Sequence, residues 1–257
     1  MSRLKRRRWR AALLAATLPA ALAASPARAG PPFLTDDPEP VELHHWEIYA
    51  FTQATGTAAD ISGAQPAVEV NYGAAPNLQL HLIAPLAFDQ PDGAPRVFGY
   101  GDTELGMKFR FIQEAKDGWM PQIGVFPLIE LPTGDARRGL GAGYTRAFLP
   151  LWAQKSDGAW TFYGGGGYWI NPGPGNRDYW FSGVVVQRQI AKPFALGVEV
   201  FHHSPDRVDG PATSGFNLGG VYDLNAHTHL LLSAGKGLQS TARTDRFSYY
   251  AAIQWTF

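Results

Sequence analysis

The residues in this 257-residue chain best suited to covalent chemistry are His202 and Ser204, in the stretch His202-His203-Ser204-Pro205. On a strand, a His-x-Ser spacing puts both side chains on one face, where an imidazole could accept the hydroxyl proton. A nucleophilic serine also needs a third group to orient its base, and the nearby Asn217 falls on the opposite parity of its strand. The seven histidines include two adjacent pairs, His44-His45 and His202-His203. Neighbouring strand residues point to opposite faces, so neither pair chelates a metal by itself, and a polar interior suits His45 or His229. Gly164 to Gly167 lack the helix and Lys-Ser/Thr of a phosphate loop, so they read as a bend or thin place in a strand. Gly139-x-Gly141-x-Gly143 is a loop feature. Asp36, Asp37 and Glu39 could hold calcium, but they fit better in an exposed, proline-stiffened opening segment. No cofactor is implied.

The elements that would position such residues are strands. In Arg246 to Phe257, Phe247, Tyr249, Ala251, Ile253, Trp255 and Phe257 share one face, while Ser248, Tyr250, Ala252, Gln254 and Thr256 share the other. The pattern runs to the last carboxylate and stops on Phe257. At the other end, Arg3, Lys5, Arg6, Arg7, Arg8 and Arg10 precede an apolar run, Ala11 to Ala24, and the small-x-small site Ala27-Arg28-Ala29. That is a secretory signal peptide over residues 1–29, with the mature chain starting at Gly30. Its removal takes seven basic and no acidic residues, leaving 15 basic against 22 acidic and a net charge of about −7, which argues against nucleic acid as a partner. The chain has no cysteine. That is ordinary for a sheet closed on itself, whose hydrogen-bond ladder needs no staple.

With 13% aromatic and 17% charged residues, 29 Gly and 20 Pro, the composition suits many strands joined by turns. After residue 30 no stretch offers eighteen apolar residues, which rules out helical membrane spans. Strands are expected near 44–54, 64–73, 78–88, 102–113, 119–131, 145–154, 159–170, 178–190, 194–204, 214–224, 229–237 and 246–257. Tight links alternate with longer ones. The tight links are Ala74 to Asn77, Glu114 to Gly118, Lys155 to Gly158, Ala191 to Pro193 and Asn225 to His227. The longer ones are Thr55–Gly63, Asp89–Gly101, Pro132–Tyr144, Asn171–Arg177, Pro205–Thr213 and Leu238–Asp245. Leu105, Met107, Phe109 and Phe111 oppose Glu104, Lys108 and Arg110; Leu196, Val198 and Val200 oppose Glu199 and His203. A soluble sandwich would also alternate. Strand length, the loop asymmetry and tryptophans near strand ends (Trp46, Trp119, Trp152, Trp160, Trp169, Trp180, Trp255) favour an all-β transmembrane, antiparallel up-and-down barrel of about 12 strands over residues 44–257. Residues 30–43 are then an N-terminal periplasmic segment.

Gly30-Pro31-Pro32-Phe33-Leu34-Thr35-Asp36-Asp37-Pro38-Glu39-Pro40-Val41 resembles the opening of the MetA-type, or meta-pathway phenol-degradation, outer-membrane transporter family. Gly101-Asp102-Thr103-Glu104-Leu105-Gly106-Met107-Lys108-Phe109-Arg110-Phe111 is similar to its G-D-x-x-x-G-x-K-aromatic-R strand. Leu131 to Asp135, followed by Gly139 to Gly143, resembles its longest loop. The resemblance implies a barrel in the bacterial outer membrane that passes small, often aromatic, solutes. It brings no proven substrate and no transferable binding residues. The closing strand ending on Phe257 resembles the segment read by the barrel-insertion machinery. His202 and Ser204, facing lipid on such a wall, resemble the catalytic pair of outer-membrane phospholipases and lipid A deacylases, which carry Asn where Pro205 stands here.

The expected lumen lining is Glu47, Glu69, Glu104, Lys108, Arg110, Glu130, Arg146, Arg188, Glu199, Asp223 and Lys236, with Tyr49, Phe51, Phe126, Tyr163 and Trp169 as inward aromatics. Mixed charges at that density can line a small polar pore, or pair across the interior and plug it. Three readings follow: a small-solute channel contacting outer-membrane lipid, a sealed structural barrel, and a lipid hydrolase using His202 and Ser204.

Overall fold

The computed structural model describes residues 31–115 and 118–257. The signal peptide and its Ala29 cleavage site lie outside the described residues. The strands are β1 (Trp46–Gly56), β2 (Asp60–Ala75), β3 (Leu78–Pro91), β4 (Val97–Tyr100), β5 (Thr103–Ile112), β6 (Gln122–Val125) and β7 (Leu128–Leu131). They continue with β8 (Arg146–Asp157), β9 (Trp160–Ile170), β10 (Tyr179–Ala191), β11 (Phe194–His203), β12 (Thr213–Asn225), β13 (Thr228–Gly237) and β14 (Phe247–Thr256). β4 and β5 both pair with β3, and β6 and β7 both lie between β5 and β8. The segments therefore form twelve antiparallel staves, each paired with its sequence neighbours, in a closed barrel.

Closure is made by β14 on β1, in the register Ile48↔Trp255 and Ala50↔Ile253. Phe257 completes the seam: its N–H donates to Trp46 O and its carbonyl accepts from Trp46 N at 3.0 and 3.1 Å. Sealing the ladder leaves no unpaired edge, which a hydrocarbon surround requires.

The oily faces point outward. Val198 (47% exposed), Val200 (54%) and Leu218 (50%) stand on the outer wall, between buried Glu199, Phe201 and Asn217. Short turns at Pro76–Asn77, Gly158–Ala159, Lys192–Pro193 and Ala226–His227 mark one rim, and the connections 132–145, 171–178, 204–212 and 238–246 mark the other. The expected Thr55–Gly63 loop shrinks to residues 57–59, because β1 runs on to Gly56 and β2 already starts at Asp60, passing Pro66 with a register shift between Ala64 and Ala67. Such an irregularity lets a strand accept a residue that cannot donate to the ladder. The loops of this same rim are tied together: Val208 N donates to Gly175 O and Asn171 Nδ2 to Asp206 O.

Three expectations about side-chain direction are corrected. Arg188 and Lys236 face outward. β10 turns Val185, Gln187 and Gln189 inward, so Arg188 lies over the outward Trp160 ring at 5.0 Å. β13 turns His229, Leu231 and Ser233 inward, so Lys236 shares the outer face with Leu232 and Ala234. Trp152, expected at the interface, is 1% exposed and packs inside against Phe148 and Phe181.

The larger correction concerns residues 31–41. They do not project into the periplasm as an exposed segment but run inside the barrel, because the inner wall presents matching acceptors, donors and gaps. Thr35 and Asp37 are fully buried, and a β-carbon at Gly183 would collide with Thr35 Oγ1, so the close approach there requires glycine.

Candidate functional site

The lumen is built around this strap. Starting at the turn-side rim, Val41 N donates to Gln79 Oε1 at 2.9 Å. Gln122 and Gln154 donate to Glu39 Oε2 at 3.2 and 3.1 Å. Lys108 Nζ donates to Asp36 Oδ1 at 2.9 Å and lies 3.6 Å from Asp37 Oδ2. Asp36 and Asp37 thus face a lysine, an ion pair that removes the calcium reading. The strap then crosses to the far wall. Thr35 N and Leu34 N donate to Glu199 Oε1 and Oε2 at 2.6 and 3.2 Å, and Asn217 Nδ2 donates to the same carboxylate at 2.6 Å. Phe33 packs with Tyr163 and Val185, and Ser233 Oγ donates to Pro32 O at 2.6 Å. Burying Phe33 alone is worth about 1.5–3 kcal/mol.

The remaining predicted residues sort by height along the axis. Glu47 accepts from Tyr49 OH at 2.8 Å and lines the turn-side half. Glu69 accepts from Asn71 Nδ2 at 2.8 Å, while His81 bridges Asn71 Oδ1 (2.7 Å) and Glu104 Oε1 (2.9 Å). Arg110 donates to Gln122 Oε1 at 2.8 Å and to Asn77 Oδ1 at 3.0 Å, and sits 4.0 Å from Glu39. Glu130 and Arg146 pair with each other across β7 and β8. Asp223 lies 2.6 Å from His229 Nδ1, beside a recess at the turn rim that Gln187 and Lys192 also line. Nine of the eleven predicted residues are therefore inside, held by one another, by the strap or by neighbouring lumen side chains such as Tyr49, Asn71, His81 and His229. His81, Asn217, Tyr250 and Asp245 complete the lining and had not been singled out. His81 was detectable, since it alternates with Leu80 and Leu82.

The strap divides the lumen without filling it. A loop-side chamber of about 420 Å³ and a turn-side chamber of about 350 Å³ share Pro31, Asp36, Glu69 and Phe126 in their walls. The expected His202–Ser204 pair is not formed. His202 Nδ1 is 2.8 Å from Ser214 Oγ, and Ser204 Oγ accepts from Trp180 N at 3.0 Å. Ser204 has no base.

The comparisons place this architecture among known barrels. The fold is similar to the COG4313 outer membrane channel from Pseudomonas putida F1, with a TM-score of 0.72 at 15% identity, over 86% of this chain and 98% of that one. It is less similar to the NanC porin, with a TM-score of 0.54 at 8% identity, over 82% and 98% of the two chains. No curated protein matches the sequence. Residues 45–257 match the sequence profile described as "Putative MetA-pathway of phenol degradation", and the chain belongs to that family.

Proposed function

We propose that the protein is a channel of the bacterial outer membrane for small solutes, including aromatic ones, with its loop rim facing outward and its turn rim in the periplasm. The observation that carries this reading is the pair of chambers on either side of the strap, which leaves open space in the interior where a fully salt-bridged plug would leave none. The outward band of apolar side chains supports a lipid surround, and twelve staves sit between the packed interior of eight-stranded barrels and the open porins. Export through the signal peptide, cleavage after Ala29 and recognition of the Phe257 strand by the insertion machinery complete the proposal. A hydrolase reading is disfavoured because the imidazole of His202 pairs with Ser214 and not with Ser204. The test is liposome swelling with sugars of graded size. Swelling that falls with solute size supports a channel, and protein-containing liposomes that behave like empty ones reject it.

A further inference from the structure

The loop-side chamber contains three polar atoms that the fold leaves unused. Thr213 and Asp245 are 3% and 4% exposed, yet Thr213 Oγ1 and Asp245 Oδ1 have no hydrogen-bond partner among the described residues, and neither does Tyr250 OH. All three residues line this one chamber. Buried polar atoms are ordinarily paired, so a group of unpaired ones around a cavity points to something that visits it. Asp245 is partly anchored: Ser248 Oγ donates to Oδ2 at 3.2 Å, which leaves Oδ1 to accept from a guest. An ionised carboxylate accepts only, so the guest must donate.

The surroundings narrow its chemistry further. The Tyr250 ring stacks on Phe51 at 5.3 Å, and Phe201 and Phe126 contribute two more aromatic walls. Charge in the chamber is one-sided. Asp36, Glu69, Glu104 and Asp245 line it, with no lysine or arginine. Lys108, which neutralises Asp36, opens on the turn-side chamber instead. His81 also lines it and pairs with Glu69 and Glu104, yet the four carboxylates outnumber it, so a negatively charged solute would meet an excess of acidic groups in a confined, weakly screened space.

We propose that this chamber is a binding subsite for small aromatic solutes that carry hydrogen-bond donors and no negative charge, with Asp245, Thr213 and Tyr250 as the docking groups. The subsite rests on the channel reading above, and it makes the conduit selective by charge as well as size. Tyramine and 4-hydroxyphenylacetate share a hydroxylated ring and differ in the sign of the side-chain charge, which makes them a matched pair of probes. Calorimetric titration of the full mature protein in detergent measures binding without requiring conduction.

Tyramine is expected to bind at least tenfold more tightly than the carboxylate. Asp245→Asn is expected to weaken tyramine about tenfold, and the near-isosteric Thr213→Val severalfold, the loss expected for a hydrogen bond to a charged or to a neutral buried group. Both variants should keep the wild-type heat-modifiable gel mobility. Equal binding of the two probes, or tyramine affinity unchanged in both variants, overturns the subsite. Binding of tyramine by a protein that passes no ions in bilayers would support the subsite and reject the channel. Ion steps with no tyramine binding would reject the subsite alone.

Discussion

Glu199 is the residue on which the strap depends most, and its removal has a calculable effect. Its carboxylate is 0% exposed and holds two main-chain amides of the strap, at 2.6 Å from Thr35 and 3.2 Å from Leu34. The Asn217 bond joins two wall strands and survives if the strap leaves, so only the two amide bonds bear on docking. A hydrogen bond to a charged group contributes about 1.5–3 kcal/mol and a longer one less, and water entering the space left by Glu199→Ala recovers part of the loss. A net loss of about 2–3 kcal/mol raises the undocked population about 30–150-fold. Thr35→Cys provides the readout. The chain has no cysteine of its own, and Thr35 Oγ1 makes no hydrogen bond among the described residues, so the substitution breaks none, and the Thr35→Cys single variant serves as the reference. A maleimide reaches this thiol only when the strap lets go, so its rate tracks that population. Labelling of the double variant should be faster by about that factor at unchanged gel mobility. Equal rates with and without Glu199 would refute the idea that this carboxylate anchors the strap.

Further outcomes follow from the same geometry. Lys108→Met leaves the fully buried Asp37 and the half-buried Asp36 without their cation, and losing one partner of a buried pair costs about 3–5 kcal/mol, so the temperature of heat-induced gel shift should fall. Val198→Arg, on the outer face near mid-strand, should destabilise the barrel in lipid vesicles by about 2–4 kcal/mol as read by urea titration, while Val208→Arg, on an exposed rim loop, should be near neutral. Burial raises the carboxyl of Asp245, a loop residue, above its ordinary range, opposed by the Ser248 hydrogen bond. Its charge is therefore lost earlier than an ordinary aspartate's as pH falls. Any preference for cations measured from reversal potentials should begin to weaken at a pH above the ordinary aspartate range, and by less in Asp245→Asn.

The strands were legible because their signals are local. Alternation in Leu105 to Phe111 and Leu196 to Val200 fixes both element and face, and the turn residues around Asn77, Gly158 and Pro193 fix the boundaries. Parity became ambiguous where apolar residues run consecutively. Val184-Val185-Val186 precedes Arg188, and Leu230-Leu231-Leu232 precedes Lys236, so neither run states which side faces lipid. The full length of β2 was concealed by Asp60 to Gly63, where Asp, Ser and Gly read as a turn although they continue the strand. The strap was least legible. Asp36, Asp37 and Glu39 acquire their partners only when Lys108, Gln122 and Gln154 are gathered by a closed barrel, and a charged, proline-rich stretch carries no periodicity to announce a place inside. Glu199 was readable as inward-facing, but its role in holding the strap's amides was not, because those bonds span more than 160 residues.

The central claim is that a strap inside a sealed twelve-stave wall narrows a continuous path. Single-channel recording of the mature protein beside a variant lacking residues 31–41 tests it most directly. The account predicts small discrete current steps for the intact chain and clearly larger ones once the strap is gone. Silent bilayers for both proteins, or steps of equal size, would contradict it.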